Sequence, residues 1–115
     1  LKEFREALGN LKDLSFDTIS AAAGHAALPH YKVDEDSNIP IPPSSIYLVD
    51  SGGQYLDGTT DITRTIAVGD AGDYARDCYT RVLQGVIAIS MVRWPKGLAG
   101  VCRRVAPRCI RGHPA

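Results

Sequence analysis

The apolar residues of this chain change period along its length. Leu1, Phe4 and Leu8 recur at three- and four-residue spacing with charges between them, which predicts a helix end, and Gly9-Asn10 supplies a stop. Leu14 to Ala22 mixes Leu14, Phe16, Thr18 and Ile19 with small residues and predicts an inner strand. Ile46-Tyr47-Leu48-Val49 is an unbroken apolar run, the mark of a buried strand. Ile62, Arg64 and Ile66 then alternate with Thr63, Thr65 and Ala67 and predict a second one. Glycines and an Asp-Gly pair lie between the two, so they form a hairpin. Helical spacing returns with Tyr74, Cys78, Val82 and Val86, flanked by Leu83, Ile87 and Met91. Asp73 suits the N-cap of this helix, Trp94-Pro95-Lys96-Gly97 stops it after about Arg93, and its stripe is expected to cover the sheet. Lys32 to Ser45 carries Pro40, Pro42 and Pro43, which exclude a helix or a central strand and leave an exposed connection.

The hairpin is also where chemistry concentrates. Asp50, Asp57 and Asp61 sit on it, and carboxylates brought close together cost free energy unless a cation lies between them. Which of them meet depends on the turn. With Asp57-Gly58 at its centre, Asp61 faces Gln54 and Asp50 faces Thr65, which leaves the two ligand candidates roughly 13 Å apart along the strand at about 3.3 Å per residue. With the turn centred between Tyr55 and Leu56, or with a bulge at Gly52-Gly53, Asp50 and Asp61 become cross-strand neighbours on one face and a shared metal site is open to them.

The string Asp50-Ser51-Gly52-Gly53-Gln54-Tyr55-Leu56-Asp57-Gly58-Thr59-Thr60-Asp61-Ile62-Thr63-Arg64-Thr65 resembles the metal-binding signature of the aminopeptidase P (Xaa-Pro aminopeptidase) family of pita-bread metallopeptidases. The resemblance implies an α+β fold: the first half of a pita-bread (creatinase/aminopeptidase) domain, an antiparallel sheet with covering helices. It implies that Asp50 and Asp61 are metal ligands and that Asp57 is a turn residue. Leu14-Ser15-Phe16 with Thr18-Ile19-Ser20, followed by His30-Tyr31, extends it, and the resemblance implies that His30 lies near bound substrate and not on the metal, where it can donate a hydrogen bond to the carbonyl under attack or to its neighbour. His25 has no family counterpart and is read as a surface residue. Implied as well are two divalent metal ions, Mn2+ with Zn2+ or Co2+ as alternatives, and a substrate peptide with proline at its second position. Methionine aminopeptidase and prolidase share the aspartate spacing, and a non-catalytic module that binds peptide or protein is the reading from another class.

Composition sharpens this picture at three points. The chain has 115 residues, small for a metallopeptidase with a water-excluding cleft. Charge is divided: residues 1–92 hold all 13 acids against 7 bases, and residues 93–115 hold 6 bases and no acid. From about residue 101 the resemblance stops, and the His-Gly-x-Gly-His segment and two glutamates that would supply three further ligands do not appear. The chain is therefore expected to be a fragment, inactive alone, with a partial catalytic domain over 1–100 and a divergent basic tail over 101–115, frame-shifted or disordered. The tail lacks the interleaved aromatics of a nucleic-acid site, so no nucleic-acid partner is expected. No apolar run reaches 18 residues and no leader pattern opens the chain, so the expectation is no membrane partner and a cytoplasmic location, with a homodimer as the candidate assembly. Cys78, Cys102 and Cys109 are odd in number and lack a Cys-x-x-Cys spacing, which argues against a disulfide framework or a structural zinc.

Overall fold

In the computed structural model of the chain, residues 1–93 are described. The chain divides into two compact units, Leu1–Ala71 and a second that begins at Gly72.

In the first unit, helix α1 (Lys2–Ala7) ends at Gly9, whose φ of 79° is the left-handed conformation that glycine adopts freely. Five antiparallel strands follow: β1 (Asp13–Leu14), β2 (Ile19–Ala22), β3 (Ser45–Ser51), β4 (Gly53–Gln54) and β5 (Ile62–Val68). They form a two-stranded sheet, β1-β4, and a three-stranded sheet ordered β2-β3-β5. The predicted inner strand over 14–22 is thus two short strands, and β2 lies at the edge of its sheet while β3 lies at the centre. Leu14 pairs with Gly53 and Ile19 with Asp50, so five steps along one strand match three along the other. Residues 15–18 hold the two extra residues as a bulge.

The hairpin turn corrects both sequence-based placements. Ser51 pairs with Ile62, Gln54 bridges Thr59, and the Tyr55 amide donates to the Gly58 carbonyl at 2.9 Å. Leu56 and Asp57 are therefore the central pair, one step from either alternative. Asp57 is exposed, as a turn residue should be. At the far end of the hairpin, Gly69 has φ 65° and a Cβ there would run into the Pro43 carbonyl, so only glycine closes that corner.

A 3-10 segment, Ala23–Ala27, leaves the sheet after β2 through Ala23, whose φ of 51° is rare for a residue with a Cβ. The segment brings His25 under Tyr31, with ring centroids 4.8 Å apart and planes 15° from parallel. His25 is therefore a half-buried packing residue rather than a surface one. The packed interior is small: Ala21, Ala22 and Tyr31 are the buried apolar residues among those described.

In the second unit, α2 (Gly72–Ser90) matches the predicted helix closely but begins one residue earlier, so Asp73 lies in its first turn instead of capping it. There it pairs with Arg76 at 3.3 Å, and Asp77 pairs with Arg81 at 2.8 Å. The predicted stop at 94–97 and the basic tail lie outside the described residues.

Candidate metal and substrate site

Asp50 is the sixth residue of β3, and its side chain projects on the side shared by its cross-strand partners Ile19 and Thr63. Its Oδ1 is buried and has no hydrogen-bond partner. A buried, acceptor-only oxygen without a donor is costly, and a cation is the group that would satisfy it. The Asp50 carboxylate therefore fits a metal ligand.

Asp61 immediately precedes β5 and is exposed. Thr63 stands opposite Asp50, so the alternation of the strand puts position 61 on the same side, one diagonal step away, a separation of about 7 Å between backbones in antiparallel sheets. The register thus brings Asp50 and Asp61 together as diagonal rather than direct neighbours. Among the described residues, no cluster of three or more His, Cys, Asp or Glu side chains could hold a metal. Asp50 and Asp61 stand as a pair of candidate ligands.

His30 lies in an exposed turn next to buried Tyr31, whose hydroxyl donates to the Ser37 carbonyl at 2.9 Å. It lines a pocket of about 390 Å³ with Phe16, Thr18, Ile19 and Lys32 among the other walls. Ile19 is the cross-strand partner of Asp50, so β2 joins the wall that carries His30 to the strand that carries Asp50. The acid run Asp34-Glu35-Asp36 is a solvated turn: the Ser37 amide donates to Asp34 Oδ1 at 2.7 Å, and the Asp34 amide donates to Ser37 Oγ at 3.0 Å.

Two supports of this site were not read from the sequence. Arg5 of α1 donates through Nη2 to Ser51 Oγ at 3.0 Å, which ties the helix to the residue after Asp50. Ser15, in the bulge, bonds to both arms of the hairpin: its amide donates to the Gly52 carbonyl at 3.3 Å and its Oγ to the Thr60 carbonyl at 2.9 Å. Both reach partners 37 or more residues away, which local pattern does not reveal.

Residues 1–108 match the sequence model of metallopeptidase family M24. The chain belongs to this family. It is 48% identical over 100 residues to a probable Xaa-Pro aminopeptidase P of Paracoccidioides brasiliensis, an alignment that spans 87% of the chain and 16% of that protein. Among solved structures it is similar to the X-prolyl aminopeptidase of Caenorhabditis elegans, described as a cytosolic enzyme with a di-nuclear active site. That match has a TM-score of 0.80 at 40% identity and covers 85% of this chain and 16% of the other. An aminopeptidase of Pseudomonas aeruginosa shares the fold, with a TM-score of 0.79 over 94% of this chain at 23% identity, and covers 24% of its own length. The family resemblance and the α+β pita-bread architecture expected from the signature are both borne out. The M24 chain described here thus spans about one sixth of the length of the aminopeptidase P relatives it matches. Among the described residues, no helix is long and apolar enough to cross a membrane.

Proposed function

We propose that this chain carries the first two metal ligands, Asp50 and Asp61, of a dinuclear-metal aminopeptidase that releases the N-terminal residue from peptides with proline in second place. The observation that carries the reading is the buried, unpartnered Oδ1 of Asp50 on the side of the hairpin it shares with Asp61. Oxygen and imidazole donors suit hard divalent ions, Mn2+ before Zn2+ or Co2+. When bound, such ions polarise a scissile carbonyl and make water nucleophilic at neutral pH. The chain's own residues then divide the remaining work. Asp50 and Asp61 hold charge against the ions, and Gly52 lets Ser15 and the Thr60 carbonyl come close to the strand between them. His30, at the wall of the Ile19 pocket, donates a hydrogen bond to the substrate carbonyl. The C. elegans relative is cytosolic, which supports a cytoplasmic location here.

By itself the chain is inactive in this reading. A hard ion takes about six oxygen ligands, so two carboxylates leave most positions to water and binding is weak, millimolar or poorer. Weak binding adds little to folding stability. Among the described residues β5 has only β3 beside it, and Ile62 and Ile66 on it are half exposed, which favours self-association as a dimer or aggregate. The test is Xaa-Pro cleavage by the purified 115-residue chain at saturating Mn2+. No turnover is expected. Turnover that survives repurification and vanishes in Asp61→Asn would show that a dimer or the tail supplies the remaining ligands.

A further inference from the structure

Between Asp50 and Asp61 the hairpin ladder is interrupted, and what fills the gap is a side chain from outside the hairpin. Ser51 pairs with Ile62 on one side of the break and Gly53 bonds to Thr60 on the other. Gly52 and Asp61, which the register sets opposite each other, fall at the non-hydrogen-bonded position between these two pairs, so the Gly52 carbonyl faces away from the opposite arm and accepts from the Ser15 amide. The ladder bond that is missing is the one from the Gly53 amide to the Thr60 carbonyl, because that amide takes Thr60 Oγ1 instead. The Thr60 carbonyl turns to Ser15 Oγ. A Cβ on Gly52 would run into both that carbonyl and that hydroxyl, so glycine is what admits the arrangement. One step further, the Gly53 amide donates to Thr60 Oγ1 at 2.9 Å and the Thr60 amide donates to the Gly53 carbonyl at 2.9 Å.

The geometry points to Ser15 as a positioning residue for the metal pair, with Thr60 as its counterpart: Ser15 holds the peptide that joins Thr60 to Asp61 and so fixes the Asp61 carboxylate relative to Asp50. This inference rests on the reading of Asp50 and Asp61 as ligands. The Thr60 carbonyl belongs to the same rigid peptide plane as the Asp61 amide, so the bond from Ser15 Oγ sets where the Asp61 backbone starts. Asp61 is exposed and lies outside the paired strands, whereas Asp50 sits within a paired central strand. Losing the Ser15 hydroxyl should therefore free Asp61 and leave Asp50 in place. Groups that orient ligands in this way typically carry a 10- to 100-fold effect on metal affinity.

The test is a Mn2+ titration of the isotope-labelled 115-residue chain, read residue by residue as paramagnetic broadening of amide signals. In the unaltered chain, broadening should centre on Asp50 and on Asp61 to Thr63. In Ser15→Ala, about ten times more Mn2+ should be needed to broaden both groups, because an ion near Asp50 also broadens its cross-strand partner Thr63. Ser37→Ala, which removes a bond in a distant loop turn, should leave the pattern unchanged; an equal shift there would mean that Ser15 acts through general stability and would overturn the inference. If Ser15→Ala does not fold, Thr60→Val, which removes Oγ1 from Gly53, should shift the pattern in the same direction, and an unchanged pattern counts against the inference. Broadening that ignores Asp50→Asn sinks the ligand reading itself. Broadening that depends on Asp50 but not on Ser15 or Thr60 sinks only the positioning role.

Discussion

Around Gly52 the backbone and hydroxyl groups are tied together, with Ser51 3% exposed and held by Arg5 and with Ser15, Gly53 and Thr60 bonded across the hairpin, while Asp50 Oδ1 and Arg5 Nη1 are buried without a partner. Along α2 the apolar stripe is open to solvent, with Tyr74 84%, Val86 54% and Met91 76% exposed. The bonds that are made in the first region come from residues within one stretch of 60 positions, because a bond needs only two groups at the right distance. Hydrophobic burial needs an extended surface on both sides. A short segment of a metallopeptidase thus builds the backbone of a candidate metal site more fully than it builds a core.

The largest expected effect is on catalysis. In a complete aminopeptidase carrying this segment, Asp50→Asn and Asp61→Asn should abolish Xaa-Pro turnover, and Asp57→Asn should leave it near the parent rate, because Asn also suits an exposed turn. Equal losses in all three, measured as kcat/KM, would break the distinction between ligand and turn residue. Next comes Gly52→Ala, which forces a methyl group against the Thr60 carbonyl and should cost about 3 kcal/mol in urea unfolding. A cost below about 0.5 kcal/mol, the range of an ordinary surface change, would mean that the hairpin accommodates the extra carbon. Smaller again, and opposite in sign, is the effect of Asp50→Asn on the metal-free chain. Replacing a charged acceptor whose Oδ1 is buried without a donor should raise stability by about 1 kcal/mol, and a loss of stability would show that the carboxylate is already satisfied. The smallest is a pH effect at Asp34. Hydrogen bonds from Ser37, its side chain first and its backbone amide second, hold the Asp34 carboxyl below its ordinary value of 3.8. A depressed carboxyl contributes stability above that ordinary value and loses it as pH falls through the lower one. Asp34→Asn should flatten the acid limb of a thermal-unfolding profile slightly and leave the neutral region alone.

The elements were largely legible in the sequence. Alternation in 62–67 and the helical stripe after Asp73 gave β5 and α2 nearly to the residue. What was not legible came from tertiary bonds. The Asp57-Gly58 pair signals a turn centred on itself, but the Gly53 to Thr60 bonds fix the register one step earlier. Leu14 to Ala22 has the composition of one strand, and it breaks at residues 15–18, which carry two extra residues and where Ser15 bonds the hairpin through both its amide and its hydroxyl. His25 offered no local sign that Tyr31 would be its neighbour. The candidate ligands Asp50 and Asp61 were legible only through the whole sixteen-residue string, since spacing alone left their relation open between several turns.

Ala23 bears on a different matter, the danger of register slippage. Ala21, Ala22 and Ala23 are consecutive and identical, so the alanine end of β2 does not by itself resist a slip against β3; the Ile19 end does, because a two-residue slip would set Ala21 or Asp17 opposite Asp50. The left-handed corner at Ala23 removes that degeneracy. It costs roughly 1 kcal/mol for a residue with a Cβ, and it recovers this only where the following segment lays His25 on Tyr31. A slipped strand would carry the corner to a place from which the ring stack is out of reach. The alignment of Ile19 with Asp50, and with it the placement of the His30 loop, is thus held at one end by Ile19 itself and at the other by one awkward alanine.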